Sequence, residues 1–303
     1  MKMQSSMKIK FLSLFLFLFC TNSQIKAVTI TEGIYEGTSQ YIIKTRTATY
    51  YFDKAGGGIS RLIDRDGNDW VALKREPRDR VPDGAAFAFR GMPNAVYLGD
   101  DGGCGHPGFD QCISVLEGNN TIRSRSKSGK WEWTWTFYED HAVWEVVKTD
   151  TARNYWFLYE GPVGGSFEPG KSFWGNNEKG PGHDTPSHMD GEGISGNWDW
   201  AYFGRDDRNS VLFVMHDTPD NQADYFSYMG NSSAGIQSPD GMVVFGFGRN
   251  SGNNPLLNGN HRFIIGLQNP CPHGERRHAF LSKRIQRYCA GNQKSGVGIL
   301  KNE

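Results

Sequence analysis

The sequence predicts an all-β protein, a β-sandwich or jelly roll with a short C-terminal helix. Three observations carry that expectation. About a dozen short runs rich in β-branched and aromatic residues follow one another along the chain. Gly, Asn or Asp turn signals part them every 8 to 15 residues. Helical periodicity is persuasive only over residues 275–288.

The run 41–52 (YIIKTRTATYYF) reads as the first strand. Runs 59–63 and 70–73 follow, separated by 65–68 (RDGN), whose Asp-Gly is a strong hairpin signal. Gly56, Gly57 and Gly58 fall in a hairpin and not ahead of a helix, which excludes a phosphate loop. Runs 113–116, 121–127, 130–138, 142–148 and 155–160 continue the pattern. In 130–138, Trp131, Trp133 and Trp135 share one face and read as core, while Glu132, Thr134 and Thr136 share the other. In 121–127, Arg123, Arg125 and Lys127 line one face, either a solvated surface or a cationic one that meets a ligand. Residues 161–197 form the longest stretch without strand character, Gly-rich yet holding Lys171, Trp174, His183, Asp184, His188 and Asp190. Long loops in compact domains commonly carry function. The later runs are 198–203, 210–215, 241–248 and 262–267, with Tyr225 and Tyr228 placed in a loop between the second and third.

Composition narrows the function. With 37% hydrophobic and 22% charged residues, the 303-residue chain can bury a core and is not disordered. Lys plus Arg and Asp plus Glu are 33 each, so the basic excess of a nucleic-acid binder is missing. Lys2, Lys8 and Lys10, the apolar run 11–20 and Ala27 read as a secretory signal peptide over 1–27, because ten apolar residues are too few to span a bilayer. The expectation is a secreted monomer without membrane attachment, with one β domain over 28–303. Beyond residue 27 there are 29 basic and 33 acidic side chains, and 18 of the basic ones are Arg. That bias hints at an anionic ligand, since Arg grips carboxylate or sulfate with two parallel hydrogen bonds.

After export Cys104, Cys112, Cys271 and Cys289 remain. An even count in an oxidising compartment suggests two disulfides, and of the three pairings the local one, Cys104–Cys112 with Cys271–Cys289, is expected. No CxxC supports a zinc site. His183, Asp184, His188 and Asp190 make a weak metal pattern, and a structural calcium bound by Asp and backbone oxygen is an equal alternative; no other cofactor is implied. No GxSxG marks a serine esterase.

Three segments, ISRLIDRDGNDW (59–70), WAYFGRDDRNSVLFVMHDTPDNQADYFSYMGN (200–231) and VVFGFGR (243–249) followed by RFIIGL (262–267), resemble secreted β-sandwich polysaccharide lyases, most nearly the short ulvan lyases of polysaccharide lyase family 28. The resemblance implies a jelly roll with a long substrate cleft. It also implies β-elimination on an acidic algal polysaccharide in which sulfated rhamnose is linked to uronic acid. Such a reaction needs a cation on the carboxylate, a base for the C5 proton and an acid for the leaving oxygen. The candidates are Lys171 as base, with Lys148, His183, His188 and His216 as alternatives, and Tyr288 or Tyr228 as acid, ahead of Tyr225. Arg123, Arg125, Arg205, Arg249 and Arg262 are expected to hold the anion, and Trp174, Trp198, Trp200, Tyr225, His183 and His188 to line the sugar path. Two rivals stand beside the lyase. A glycoside hydrolase would use two carboxylates among Glu132, Glu145, Glu160, Asp199 and Asp217. A glycan-binding protein would use the aromatics without a proton-transfer pair.

Overall fold

The computed structural model describes residues 28–75, 86–97, 100–101, 110–188, 192–218, 220–230, 237–274 and 276–295. The expected signal segment 1–27, Cys104 and Asp190 lie outside them. Strands β1 (Thr29–Tyr35), β2 (Thr38–Lys44), β3 (Thr49–Asp53) and β4 (Gly58–Ile63) form a four-stranded meander. Helix α1 (Ala86–Phe89) precedes β5 (Cys112–Glu117), β6 (Thr121–Ser126), β7 (Glu132–Phe137), β8 (Ala142–Lys148) and β9 (Phe157–Gly161). Then come β10 (Ser172–Asn176), β11 (Ile194–Gly196), β12 (Trp200–Arg205), β13 (Val211–His216), β14 (Asp224–Met229), β15 (Met242–Phe247), β16 (Arg262–Gln268) and helix α2 (Arg276–Ser295). An eight-stranded sheet, ordered β10-β12-β13-β16-β8-β7-β6-β5, packs one face on the meander and on a second four-stranded sheet, β11-β14-β15-β9. This is the expected all-β sandwich with its C-terminal helix.

The packing follows from side-chain alternation. Trp133, Trp135 and Phe137 of β7 point into the sandwich, and Glu132, Thr134 and Thr136 stay half-buried on the other face. Trp144 of β8 lies at the centre of an aromatic cluster, within 6.4 Å of the Trp133 and Trp135 rings and 5.3 Å of Phe263. Strands β12 and β13 are buried at every position. Ala201, Phe203, Leu212 and Val214 face the sandwich core, while Trp200, Tyr202, Val211, Phe213 and Met215 face α2. Leu281 and Ile285 of α2 are fully buried on that outer face. Gly57, with φ of 70°, turns the β3–β4 hairpin as expected. Its carbonyl accepts the Trp133 indole N–H at 2.9 Å, and an added Cβ would sit 2.7 Å from that ring.

Four readings need correction. The run 41–52 is two strands, because the Thr45 hydroxyl accepts the Thr47 and Ala48 amides at 3.3 and 3.1 Å and closes a turn. The run 70–73 is not a strand; the Asp69 carboxylate takes the Val71 and Ala72 amides and bends the chain. Tyr225 and Tyr228 lie on β14, which pairs with β11 and β15, and β10 and β11 fall within 161–197. Finally, Cys271 and Cys289 are not joined. Both pack in the apolar layer beneath α2, with Cys289 Sγ 3.8 Å from Met215 Sδ. Burial pushes the Cys271 thiol up to about 11, which keeps it protonated and unreactive. Cys112 is buried at the start of β5.

The second small sheet buries charge on its outer face. Glu160 of β9 accepts Asn94 Nδ2, and Arg249 donates to the Val244 carbonyl at 2.9 Å and the Ser227 hydroxyl at 3.1 Å. Burial pushes Glu160 up to about 8, against the opposing pull of Asn94 and Arg249. Asp224 is pushed up to about 7, again mainly by burial.

Two outcomes are expected. Alkylation without reductant, followed by peptide mapping of the unfolded chain, should label Cys271 and Cys289 as separate thiols; a bridged peptide would contradict this packing. The second concerns pH. Folded Glu160 keeps its proton to about 8, whereas the unfolded carboxyl releases it near 4.5. The folded state therefore binds more protons across that window, and stability falls as pH rises through it. Glu160→Gln should lessen the fall by on the order of 1 kcal/mol per pH unit, read by urea unfolding at stepped pH.

Candidate functional site

A groove forms where β10 ends the large sheet. Residues 177–183 fold back along this edge strand, and Trp174 and Gly182 exchange amide hydrogen bonds of 2.9 and 2.8 Å. The chain then crosses to β14, where the Tyr228 amide donates to the Ser187 carbonyl at 3.1 Å. Between these anchors lies an open groove lined by Phe167, Trp174, His183, Asp184, Thr185 and neighbours. A second hollow adjoins it across Trp174, bounded by Lys179 and Asp184.

Two histidines are positioned along this path. His183 Nε2 lies 2.9 Å from Asp206 Oδ2, and Asp206 Oδ1 accepts Arg277 Nη1 at 2.8 Å. Burial raises the Asp206 carboxyl, but the hydrogen bonds from Arg277 and His183 outweigh it and leave the group below its ordinary value. A carboxylate so held orients the exposed His183 ring. His188 meets Tyr228 edge-on, with ring centroids 5.4 Å apart, and Phe167 stacks on Tyr228 at 6.5 Å. Tyr228 and His188 are both partly exposed. The Trp174 ring is buried, and its indole N–H has no hydrogen-bond partner among the described residues. The Lys179 ammonium lies 5.5 Å over that ring.

The structure thus gathers Trp174, His183, His188 and Tyr228 of the predicted set. Lys171 stands at the rim, and carboxylates surround it. Its ammonium lies 2.7 Å from Glu168 and 3.4 Å from Asp207. Those hydrogen bonds, Glu168 first, raise its pKa, the opposite of what a lysine base needs. Trp198 is buried against Trp174 and Phe245, and Trp200 lies beneath α2, so neither presents a face to a sugar. Tyr225 is buried too; its hydroxyl accepts the Gly193 amide and the Arg249 guanidinium lies 5.1 Å over its ring. Tyr288 sits on α2, stacked on Phe213 at 5.1 Å, and burial pushes it up to about 12. Both are packing residues outside the groove.

The expected arginine grip is also otherwise engaged. Arg123 pairs with Glu117 and Glu132 on the outer face of β6, where Arg125 is also exposed. Arg205 is buried and held by Glu168, Asp207 and Ser166. Arg249 clamps β14 to β15, and Arg262 pairs with Asp217. An alternating or strand-end arginine marks a cation, but partners such as Glu168 for Arg205 and Asp217 for Arg262 come from distant sequence. Reading the sequence missed Asp206, whose signal was the acidic pair in RDDR (205–208) right after a strand. The metal reading of 183–190 is met differently, since His183 turns to Asp206. None of the five hydrolase carboxylates lines the groove or the adjoining hollow.

No protein-family model and no curated protein matches this chain. Solved structures show distant likeness. A galactose mutarotase-like protein from Lactobacillus casei aligns at 10% identity and a TM-score of 0.46, over 76% of this chain and 100% of that one. YidC from Thermotoga maritima aligns at 9% identity and a TM-score of 0.42, over 90% and 58%. A bacterial glucoamylase complexed with acarbose aligns at 9% identity and a TM-score of 0.42, over 88% and 35%. Likeness at this level says nothing of what the chain binds or does.

Proposed function

We propose that this chain is a secreted polysaccharide lyase that cleaves an acidic, sulfated polysaccharide of the ulvan type by β-elimination in the groove beside β10. The observation that supports it is the contact between Tyr228 and His188 at a partly exposed position next to that groove. It pairs two residue types suited to the proton transfers: Tyr228 on β14, which pairs with β15, and His188, bridged to Tyr228 from the chain that crosses over from β10. In this reading His188 takes the C5 proton, the C4–O bond breaks as the C4–C5 double bond forms, and the Tyr228 hydroxyl gives its proton to the leaving oxygen. Lys179 offers a positive charge on the groove margin for the uronate carboxylate. His183, fixed by Asp206, is placed to hydrogen-bond a sugar hydroxyl or sulfate farther along.

The test is incubation with ulvan while ultraviolet absorbance follows the unsaturated uronate. Tyr228→Phe and His188→Asn should each lose turnover by roughly 100-fold or more, within the range of general acid–base groups. Lys171→Met should stay within a few-fold of wild type. New reducing ends without absorbance would replace the lyase with a hydrolase. Retention of ulvan on the immobilised protein without any cleavage would replace it with a glycan-binding protein. Unchanged turnover in both the Phe and Asn variants would remove this pair from the chemistry.

A further inference from the structure

A second histidine cluster lies on other strands and shares no residue with the groove. His216 ends β13, His261 immediately precedes β16, and Asp220 lies on the connection from β13 to β14. The buried His216 ring stacks on Phe263 at 4.5 Å. His261 Nε2 lies 2.9 Å from the Asn258 carbonyl. A carbonyl only accepts, so Nε2 carries hydrogen, and in the neutral ring Nδ1 presents its lone pair. That Nδ1 is 2.8 Å from His216 Nε2 and 4.0 Å from Asp220 Oδ2. Asp220 Oδ1 accepts the Gln222 amide at 2.9 Å, which turns Oδ2 toward both rings, 3.8 Å from His216 Nδ1. Oδ2 is buried and has no hydrogen-bond partner among the described residues. A buried carboxylate oxygen left this way is costly unless a positive centre meets it.

We propose that His216, Asp220 and His261 bind a divalent transition-metal ion of the zinc class. Their donor atoms lie within 4.8 Å of one another. Donors on a tetrahedral zinc, at about 2.0–2.2 Å from the metal, are roughly 3.3 Å apart. His261 Nδ1 lies 2.8 Å from His216 Nε2 and 4.0 Å from Asp220 Oδ2, on either side of that spacing, so side-chain rotations bring the three donors onto one ion. Two imidazoles and one carboxylate suit zinc, cobalt, nickel or copper; calcium requires six to eight oxygens. The Asn258 carbonyl and the Gln222 amide supply the outer contacts that orient such ligands. His261 and Asp220 are partly exposed, which gives the ion a way in. Bound there, it would pin the β13–β14 connection to the turn before β16. The site stands whether or not the groove is a lyase.

The experiment treats the full chain with a chelator and titrates it with cobalt(II), reading the visible absorbance of the low-symmetry ion. One equivalent should bind and be displaced by zinc. His261→Ala and Asp220→Asn should each weaken binding by at least 10-fold, while His141→Ala should bind as wild type. Zinc should raise the melting temperature of wild type and not of His261→Ala, which also separates lost binding from lost folding. Absence of cobalt absorbance in the wild-type chain, or equal affinity in both ligand variants, overturns the site.

Discussion

The structure depends on strands that are apolar on both faces. β12 and β13 run through the large sheet with every residue buried, and β16 is buried from its second residue onward. A sheet whose centre is apolar on both sides cannot leave either side in water. Its inner face closes on the two four-stranded sheets and its outer face closes under α2. Full burial of a large apolar side chain contributes roughly 1.5–3 kcal/mol, so the layer beneath α2 holds that helix far better than its polar sequence could. The same layer takes Cys271, Cys289 and Tyr288, which explains why chemistry expected of them gives way to packing.

Closure on both faces leaves the sheet edge as the place for a site. β10 is one such edge, and residues 177–183 fold back along it beside a groove. Unpaired edges invite association, and a folded-back segment blunts them. Here the cover also carries His183 and His188 on one short path. Buried charge follows a related rule. Arg205 and Arg249 are interior clamps whose partners come from several strands and loops. Such networks hold loops in place, and the guanidinium groups are then engaged before any ligand arrives.

Much of the fold was legible. Runs 113–116, 121–127, 142–148 and 262–267 became strands near their expected ends, because alternation and β-branched content report directly on a pleated, half-buried surface. The Trp131, Trp133 and Trp135 row read as core, and it is core. The missed strand β14 carries Asp224, Ser227 and two tyrosines, polar enough to read as loop. It is a strand because β11 and β15 pair with it and because its outer face is itself covered.

The site was legible only in its residue types. Sequence alone determined the sandwich class, the aromatic core, the terminal helix and the concentration of histidine in the long Gly-rich stretch, since these depend on local periodicity and composition. Which histidine meets which partner was decided by tertiary structure. His183 finds Asp206, 23 residues on, His188 finds Tyr228, and His216 finds His261 across two paired strands. Ring orientation, burial and charge pairing are set by neighbours far along the chain, and sheet register is what brings those neighbours within hydrogen-bond reach.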